Sequence, residues 1–275
     1  MNEYSAIYPA ELCIHEQIAQ GGSASLWRVS HPAIDDEFVL KYARYNRDVN
    51  NYIDAQFERE WEVSRLLCGT SALQIHHYSH DVRRHAYLYM PLLKAKSLRV
   101  LRAEWQHWPQ VQSVFTKLAL ALMQIHERGV VHRDLKPSNV MLQECGDLSI
   151  IDFGLALIKE RAARGENTKH AIGTPLFISP EQAFGEENMQ GPASDAYAFG
   201  VMLFECLYDI LPFRGSCPEQ SMHMHCYEEP PHHLELCVSG VPQSAIAALF
   251  RLLEKDPQRR LTLSQWLDCS AISCE

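Results

Sequence analysis

Residues 132–139 read His-Arg-Asp-Leu-Lys-Pro-Ser-Asn, and Asp152-Phe153-Gly154 follows thirteen positions after that Asn. The stretch offers a carboxylate (Asp134), a cation (Lys136), an amide (Asn139) and a second carboxylate (Asp152). Phosphoryl transfer draws on that set: an acid to orient a hydroxyl, a cation on the phosphate, and Asn and Asp to hold Mg²⁺. The plain structural reading is a polar loop between two strand-like runs, Val130-Val131 and Leu148 to Ile151. Eight residues in register, with Asp-Phe-Gly behind them, make chance a poor explanation.

These groups need elements to hold them. Leu12, Ile14 and Ile18 lead into Gly21-Gly22, and Leu26 to Val29 and Phe38 to Lys41 are short apolar runs between turn residues, so the region from 12 to 42 is expected to form β-strands. Residues 54–67 change to helical spacing, with Phe57, Trp61, Ser64 and Leu67 on one face. Strands are expected at 73–78 and 86–90, the second ended by Pro91. Beyond it the period is mostly helical. Val111 to Arg128 is amphipathic and stops at Gly129, residues 196–208 are almost wholly apolar and so buried on all sides, and 245–253 and 263–272 close the chain. The layout is α+β: a β-rich first third with one helix, up to about residue 90, a joint at 91–96, and a helical part from 97 to 270.

Bulk properties exclude some classes. Across 275 residues the formal charge is −9, which argues against a nucleic-acid binder held by phosphate contacts. Hydrophobic content of 47% and charged content of 21% are ordinary for a globular enzyme. Met1 to Leu12 has no apolar signal core, and no run of eighteen apolar residues occurs, so neither export nor a membrane span is expected. Nine Cys without a Cys-x-x-Cys pair read as reduced, mostly buried thiols in a cytoplasmic chain. The end of the chain soon after the last helical pattern gives no expectation of an appended sensor or anchor. His223, His225, Cys226, His232 and His233 match no closed four-ligand zinc site and fall on a helix and its exit loop.

The motifs together resemble the eukaryotic-like serine/threonine protein kinases of bacteria, over about Leu12 to Leu267. The resemblance implies a two-lobe fold that uses ATP with Mg²⁺ or Mn²⁺ and phosphorylates protein substrates. Lys41 takes the place of the lysine on the α/β-phosphates, with Glu60 as its helix-borne partner ahead of Glu58 and Glu62. Asp134 becomes the catalytic base, Lys136 the cation on the transferring group, and Asn139 and Asp152 the metal ligands. Asp-Leu-Lys-Pro-x-Asn with Thr174 in Gly-Thr-Pro points to serine or threonine acceptors. The nucleotide falls to Ile18, Ala19, Gly21, Gly22, Ser23, Leu26, Val39, Lys41, Met90, Pro91, Leu93 and Met141. A glycine hairpin lets backbone N–H groups approach phosphates. Here Ala19 and Ala24 occupy the outer positions of Gly-x-Gly-x-x-Gly, which stiffens the lid. Adenine would meet the backbone of Pro91 and Leu93, and Lys96 stands where the family often has a ribose-binding acid.

Other positions are structural or regulatory by the same resemblance. Glu181, in Ser-Pro-Glu, pairs with Arg260; Asp195 accepts from the catalytic-loop backbone or caps its helix; His132 and Phe153 pack. Arg133 meets a phosphate on the segment between Gly154 and Gly173, where Thr168 is the only hydroxyl and hence the autophosphorylation candidate. The rival readings are a nucleotide-binding pseudokinase scaffold, against which all five key groups count, and a small-molecule kinase, against which Lys136, Thr174 and Ser-Pro-Glu count.

Overall fold

The structure, a computed structural model, describes residues 12–32, 34–45, 50–163, 173–232 and 234–271. It divides into two compact units. One holds the residues up to Ala95 together with Ile151–Gly154; the other holds Lys96–Ile150 and the residues from Leu155 onward.

The first unit is an antiparallel sheet with one long helix. Strands β1 (Cys13–Gln20), β2 (Ala24–His31), β3 (Ile34–Ala43), β4 (His77–His80) and β5 (Ala86–Pro91) lie in the order β1-β2-β3-β5-β4, and helix α1 (Asn50–Leu66) follows β3. Alternation along β3 decides what faces what. Phe38 and Leu40 join Val29, Tyr87 and Tyr89 in one apolar cluster. Val39 and Ala43 join Ile53 and Phe57 of α1 in another, with Leu88 and Met90 of β5. Lys41 lies between Val39 and Ala43 in that period, so its side chain is sent to the α1 side. Phe57, Glu60, Ser64 and Leu67 are buried at spacings of three and four, so the buried stripe takes in Glu60 at the place expected for Trp61. Trp61 is only partly buried against the same cluster.

The second unit is mainly helical. After β6 (Ala95–Ser97) and α2 (Leu98–Leu101), helix α3 (Trp108–Glu127) leads to β7 (Val130–Val131), the hairpin β8 (Val140–Gln143) and β9 (Leu148–Ile150), and then β10 (Leu157–Ile158). Helices α4 (Lys159–Ala163), α5 (Pro180–Ala183), α6 (Pro192–Tyr208), α7 (Pro218–Tyr227), α8 (Gln243–Leu252) and α9 (Leu263–Ala271) complete it. Of the long helices, α6 is the core: Phe199 and Val201 to Phe204 are buried, and Phe115 of α3 and Trp266 of α9 pack edge-on against Phe199 at 5.1 and 4.9 Å between ring centres. Among the described residues no helix is long and apolar enough to cross a membrane.

Two expectations need correction. The strand expected at 73–78 begins only at His77, because the segment before it is tied down by side chains: Ser64 Oγ accepts from Ile75 N–H at 2.7 Å, and Gln74 Nε2 donates to Ala72 O at 3.0 Å. The cysteines are not mostly buried. Cys13, Cys68, Cys145, Cys217 and Cys237 are exposed and only Cys206 is fully buried among those described, because they fall at surface positions of strands and loops. Ile14 and Ile18 are exposed as well, since β1 is the edge strand of the sheet and every residue in it is open to solvent.

Candidate active site

In the first unit, Lys41 Nζ lies 2.7 Å from Glu60 Oε2 and 2.8 Å from Asp152 Oδ1. Glu58 is exposed, so the partner on α1 is Glu60. Burial works against the charge on Lys41, yet the Asp152 and Glu60 carboxylates outweigh it and hold its pKa above the ordinary lysine value. Glu60 is also raised: burial is the main cause, Lys41 pulls it back only in part, and the charge of Asp152 adds to the rise. One ammonium thus serves two carboxylates. Asp152 has φ = 68°, in the left-handed region that Asp tolerates better than most residues.

The hairpin of Gly21 and Gly22 joins β1 to β2, and Gly21 N–H closes its turn on Ala24 O at 2.8 Å. Ala19 pairs with Leu26, and Leu26 with Lys41, across successive strands. Val39 stands opposite Met90 in the β3–β5 register, and Pro91 ends β5 opposite Phe38. Met141 lies in the second unit, on β8 opposite Ser149.

In the second unit, Asp134 is held by three donors. Thr174 gives its backbone N–H at 2.8 Å and its hydroxyl at 2.7 Å to Asp134 Oδ1, and Lys136 Nζ is 2.5 Å from Asp134 Oδ2. Lys136 Nζ also donates to Thr174 Oγ1 at 2.9 Å, closing a ring of carboxylate, ammonium and hydroxyl. Asn139 Nδ2 donates to the Asp134 carbonyl at 3.0 Å, which fixes the amide and turns its oxygen the other way.

A backbone clamp supports this loop. Arg133 has φ = 64°, a conformation that a non-glycine residue holds only where its surroundings enforce it. Its N–H donates to Asp195 Oδ1 at 2.9 Å, His132 N–H donates to Asp195 Oδ2 at 2.8 Å, and Gln182 Nε2 donates to Arg133 O at 2.7 Å. Helix α6 starts after Gly191, so Asp195 is inside the helix and does not cap it. Burial would raise the Asp195 carboxyl, but the hydrogen bond and charge of His126 (2.8 Å) and the amides of the loop hold it below the usual range. Gly173 has φ = 128°, and a Cβ there would come within 2.9 Å of Arg133 O. The guanidinium of Arg133 donates from Nε to Leu155 O at 2.8 Å and from Nη1 to Gln190 Oε1 at 3.1 Å. Glu181 and Arg260 form a buried pair, and Ser194 Oγ donates to Glu181 Oε1 at 2.8 Å. Lys96 is exposed, 3.7 Å from Glu104. Thr168 lies outside the described residues. His225, one of the zinc-like group, is buried against Tyr197 and Phe213.

The sequence profile of the protein kinase domain matches residues 12–270. The chain belongs to the protein kinase domain family. Relatives of this kinase domain carry consistent descriptions. It is 29% identical over 223 residues to "Serine/threonine-protein kinase pkn3" of Myxococcus xanthus, covering 78% of this chain and 40% of that one. It is 29% identical over 242 residues to "Serine/threonine-protein kinase PknL" of Mycobacterium bovis (86% and 59%), and 26% over 245 residues to "Serine/threonine-protein kinase PrkC" of Bacillus subtilis (88% and 37%). The chain therefore spans between about two fifths and three fifths of the length of these relatives.

Sequence reasoning missed Gln182, Gln190 and His126, which hold the Arg133 backbone, the Arg133 side chain and Asp195. Only Gln182 carried a signal: it follows Glu181 directly in Ser-Pro-Glu-Gln, on the one-turn helix α5.

Proposed function

We propose that this kinase domain transfers the terminal phosphoryl group of ATP to serine and threonine hydroxyls of protein substrates. The observation that carries the reading is the ring of Asp134, Lys136 and Thr174. It places a fixed carboxylate and a fixed ammonium about one hydroxyl position, which is what an acceptor hydroxyl and a charged phosphoryl group together require. As the acceptor oxygen bonds to phosphorus and the bond to the leaving phosphate breaks, Asp134 orients the hydroxyl and takes its proton, and Lys136 offsets the charge of the phosphoryl group. Lys41, steadied by Glu60, engages the α- and β-phosphates.

Asp152 and Asn139 offer hard oxygen donors, a carboxylate and an amide carbonyl, that suit Mg²⁺ or Mn²⁺. Such an ion would neutralise phosphate charge when bound. The nucleotide falls to the hairpin residues Ile18 to Ser23, to Leu26, Val39 and Met90, to the backbone of Pro91 and Leu93, and to Met141. Substrates of the cytoplasm fit a chain with free thiols at its surface. Thr168 is the site of autophosphorylation in this reading; full activity of Thr168→Ala, with no phosphate at Thr168 in the active protein, would refute that part.

The test is incubation of the purified chain with γ-labelled ATP, Mg²⁺ and cell lysate, beside Asp152→Ala. Labelled proteins are expected only with the unaltered chain. Equal labelling by both, or label confined to metabolites, would overturn the reading.

A further inference from the structure

The chain as a whole carries a net charge of −9. A cavity of about 460 Å³ in the second unit runs against that sign. It opens beside Lys136 and Thr174, and its wall includes Arg99, Arg102 and Arg214, with Glu205 the only acid among its lining residues. The three guanidiniums are not equivalent. Arg102 is already engaged, 2.7 Å from Asp209 Oδ1 and 3.3 Å from Glu205 Oε1. Even so, its Nε and the Oε2 of Glu205 are buried without a hydrogen-bond partner. Arg99 on α2 and Arg214 in the loop before α7 are exposed and make no ion pair or hydrogen bond with described residues. Lys136 is occupied by Asp134. The charge of Arg99 acts on the nearby Glu205 carboxylate, but neither Arg99 nor Arg214 is held in an ion pair, so two exposed positive charges stand next to the place where an acceptor hydroxyl would be held.

A basic wall of this kind selects by attraction and by rejection. An acidic side chain gains Coulomb energy there, whereas a lysine or arginine would be brought against like charge. Surface pairs of this type are individually weak, so two of them amount to a preference of about three- to tenfold. Salt should erode it, because exposed charges are screened over about 8 Å at physiological ionic strength.

We propose that this cavity makes the enzyme selective for serine or threonine residues flanked by anionic side chains, with Arg99 and Arg214 as the specificity-determining residues. The inference rests on the protein kinase reading above and adds the chemistry of its substrate. The anion is supplied by aspartate and glutamate or by an already phosphorylated residue.

Steady-state phosphorylation of four peptide sets tests it. Each set has a central Ser or Thr flanked by Glu, by phosphoserine, by Gln or by Arg. A kcat/KM three- to tenfold higher for the Glu or phosphoserine set than for the Gln set, and lowest for the Arg set, is expected, and the better of the two anionic sets identifies the source of the anion. Arg214→Glu, and independently Arg99→Glu, should move the ratio of Glu-flanked to Arg-flanked rates towards or below one. Each substitution is at an exposed position, so either variant can report if the other fails to fold. Rates for the Glu and phosphoserine sets that both equal the rate for the Gln set, or unaltered ratios in both variants, would overturn the selectivity while leaving the kinase reading in place. Absence of transfer to any set, together with absence of labelling in lysate, would instead remove the kinase reading and this inference with it.

Discussion

Arg260 and Glu181 form a two-pronged ion pair in the interior of the second unit: Nη1 lies 2.7 Å from Oε1 and Nη2 lies 2.9 Å from Oε2, with both side chains at most 1% exposed. The same guanidinium donates to the carbonyls of Ala193, Glu254 and Lys255, so it ties α5, the start of α6 and the loop after α8 to one point. A fork on a carboxylate is a geometry that lysine cannot reproduce. Arg260→Ala leaves Glu181 charged and buried, and we expect it to lower the unfolding free energy by about 3–5 kcal/mol. Arg260→Lys should recover only part of that loss. Urea denaturation followed by circular dichroism would measure both, and a loss below about 1 kcal/mol for Arg260→Ala would contradict the role assigned to the pair.

Asp195 gives a prediction with a pH signature. Its folded pKa lies below the ordinary value, so its contribution to stability is present above about pH 4, the unfolded value, and is lost as pH falls through the folded one. Asp195→Asn presents an amide nitrogen to loop amides that need an acceptor, and should cost about 2–4 kcal/mol at pH 7. The gap between the unaltered chain and Asp195→Asn should narrow as pH is lowered from 5 to 3. A gap that stays constant over that range would show that the Asp195 charge does not carry the effect.

Lys41 is the ammonium shared by Glu60 and Asp152. Lys41→Met should lower kcat/KM for phosphoryl transfer by about 10²- to 10³-fold, the usual loss when a positioned electrostatic group is removed. Glu60→Gln keeps a hydrogen-bond acceptor for Lys41 and should cost less than Lys41→Met. Steady-state kinetics on one peptide would rank the two, and an Glu60→Gln variant worse than Lys41→Met would contradict the proposed roles.

At Gly200 of α6, an added Cβ would sit 2.8 Å from Leu252 Cβ and 3.2 Å from Leu253 Cδ2. Gly200→Ala therefore overpacks the α6–α8 contact, and we expect a loss of about 1–3 kcal/mol despite the better helix propensity of alanine. Thermal unfolding would detect it as a fall of several degrees, and an unchanged or higher Tm would contradict the close approach.

Much of this was legible in the sequence because short-range pattern and fold agreed. The apolar run at 196–208 could only be a buried helix, and α6 is one. The apolar run Phe38 to Lys41 reads as a strand, and β3 covers it. Less legible were features that depend on side chains meeting across long separations. Asp195 fitted both a loop clamp and a cap by position alone, and only the start of α6 after Gly191 separates the two. Gln190 and His126 have no local pattern at all, because their roles come from the packing of α3 and α6 around the loop. The strand expected at 73–78 starts late because Ser64, on α1, takes the Ile75 N–H, and the Gln74 side chain turns back onto the carbonyl of Ala72 just before it.

The central claim concerns the hydroxyl opposite Asp134, and phosphoamino-acid analysis tests it most directly. The chain is incubated with γ-labelled ATP, Mg²⁺ and a mixed protein substrate, beside Asp134→Asn, and the label is assigned to serine, threonine or tyrosine. The account predicts phosphoserine and phosphothreonine from the unaltered chain and a loss of at least about 10²-fold in Asp134→Asn. Phosphotyrosine as the main product, or equal labelling by Asp134→Asn, would contradict it.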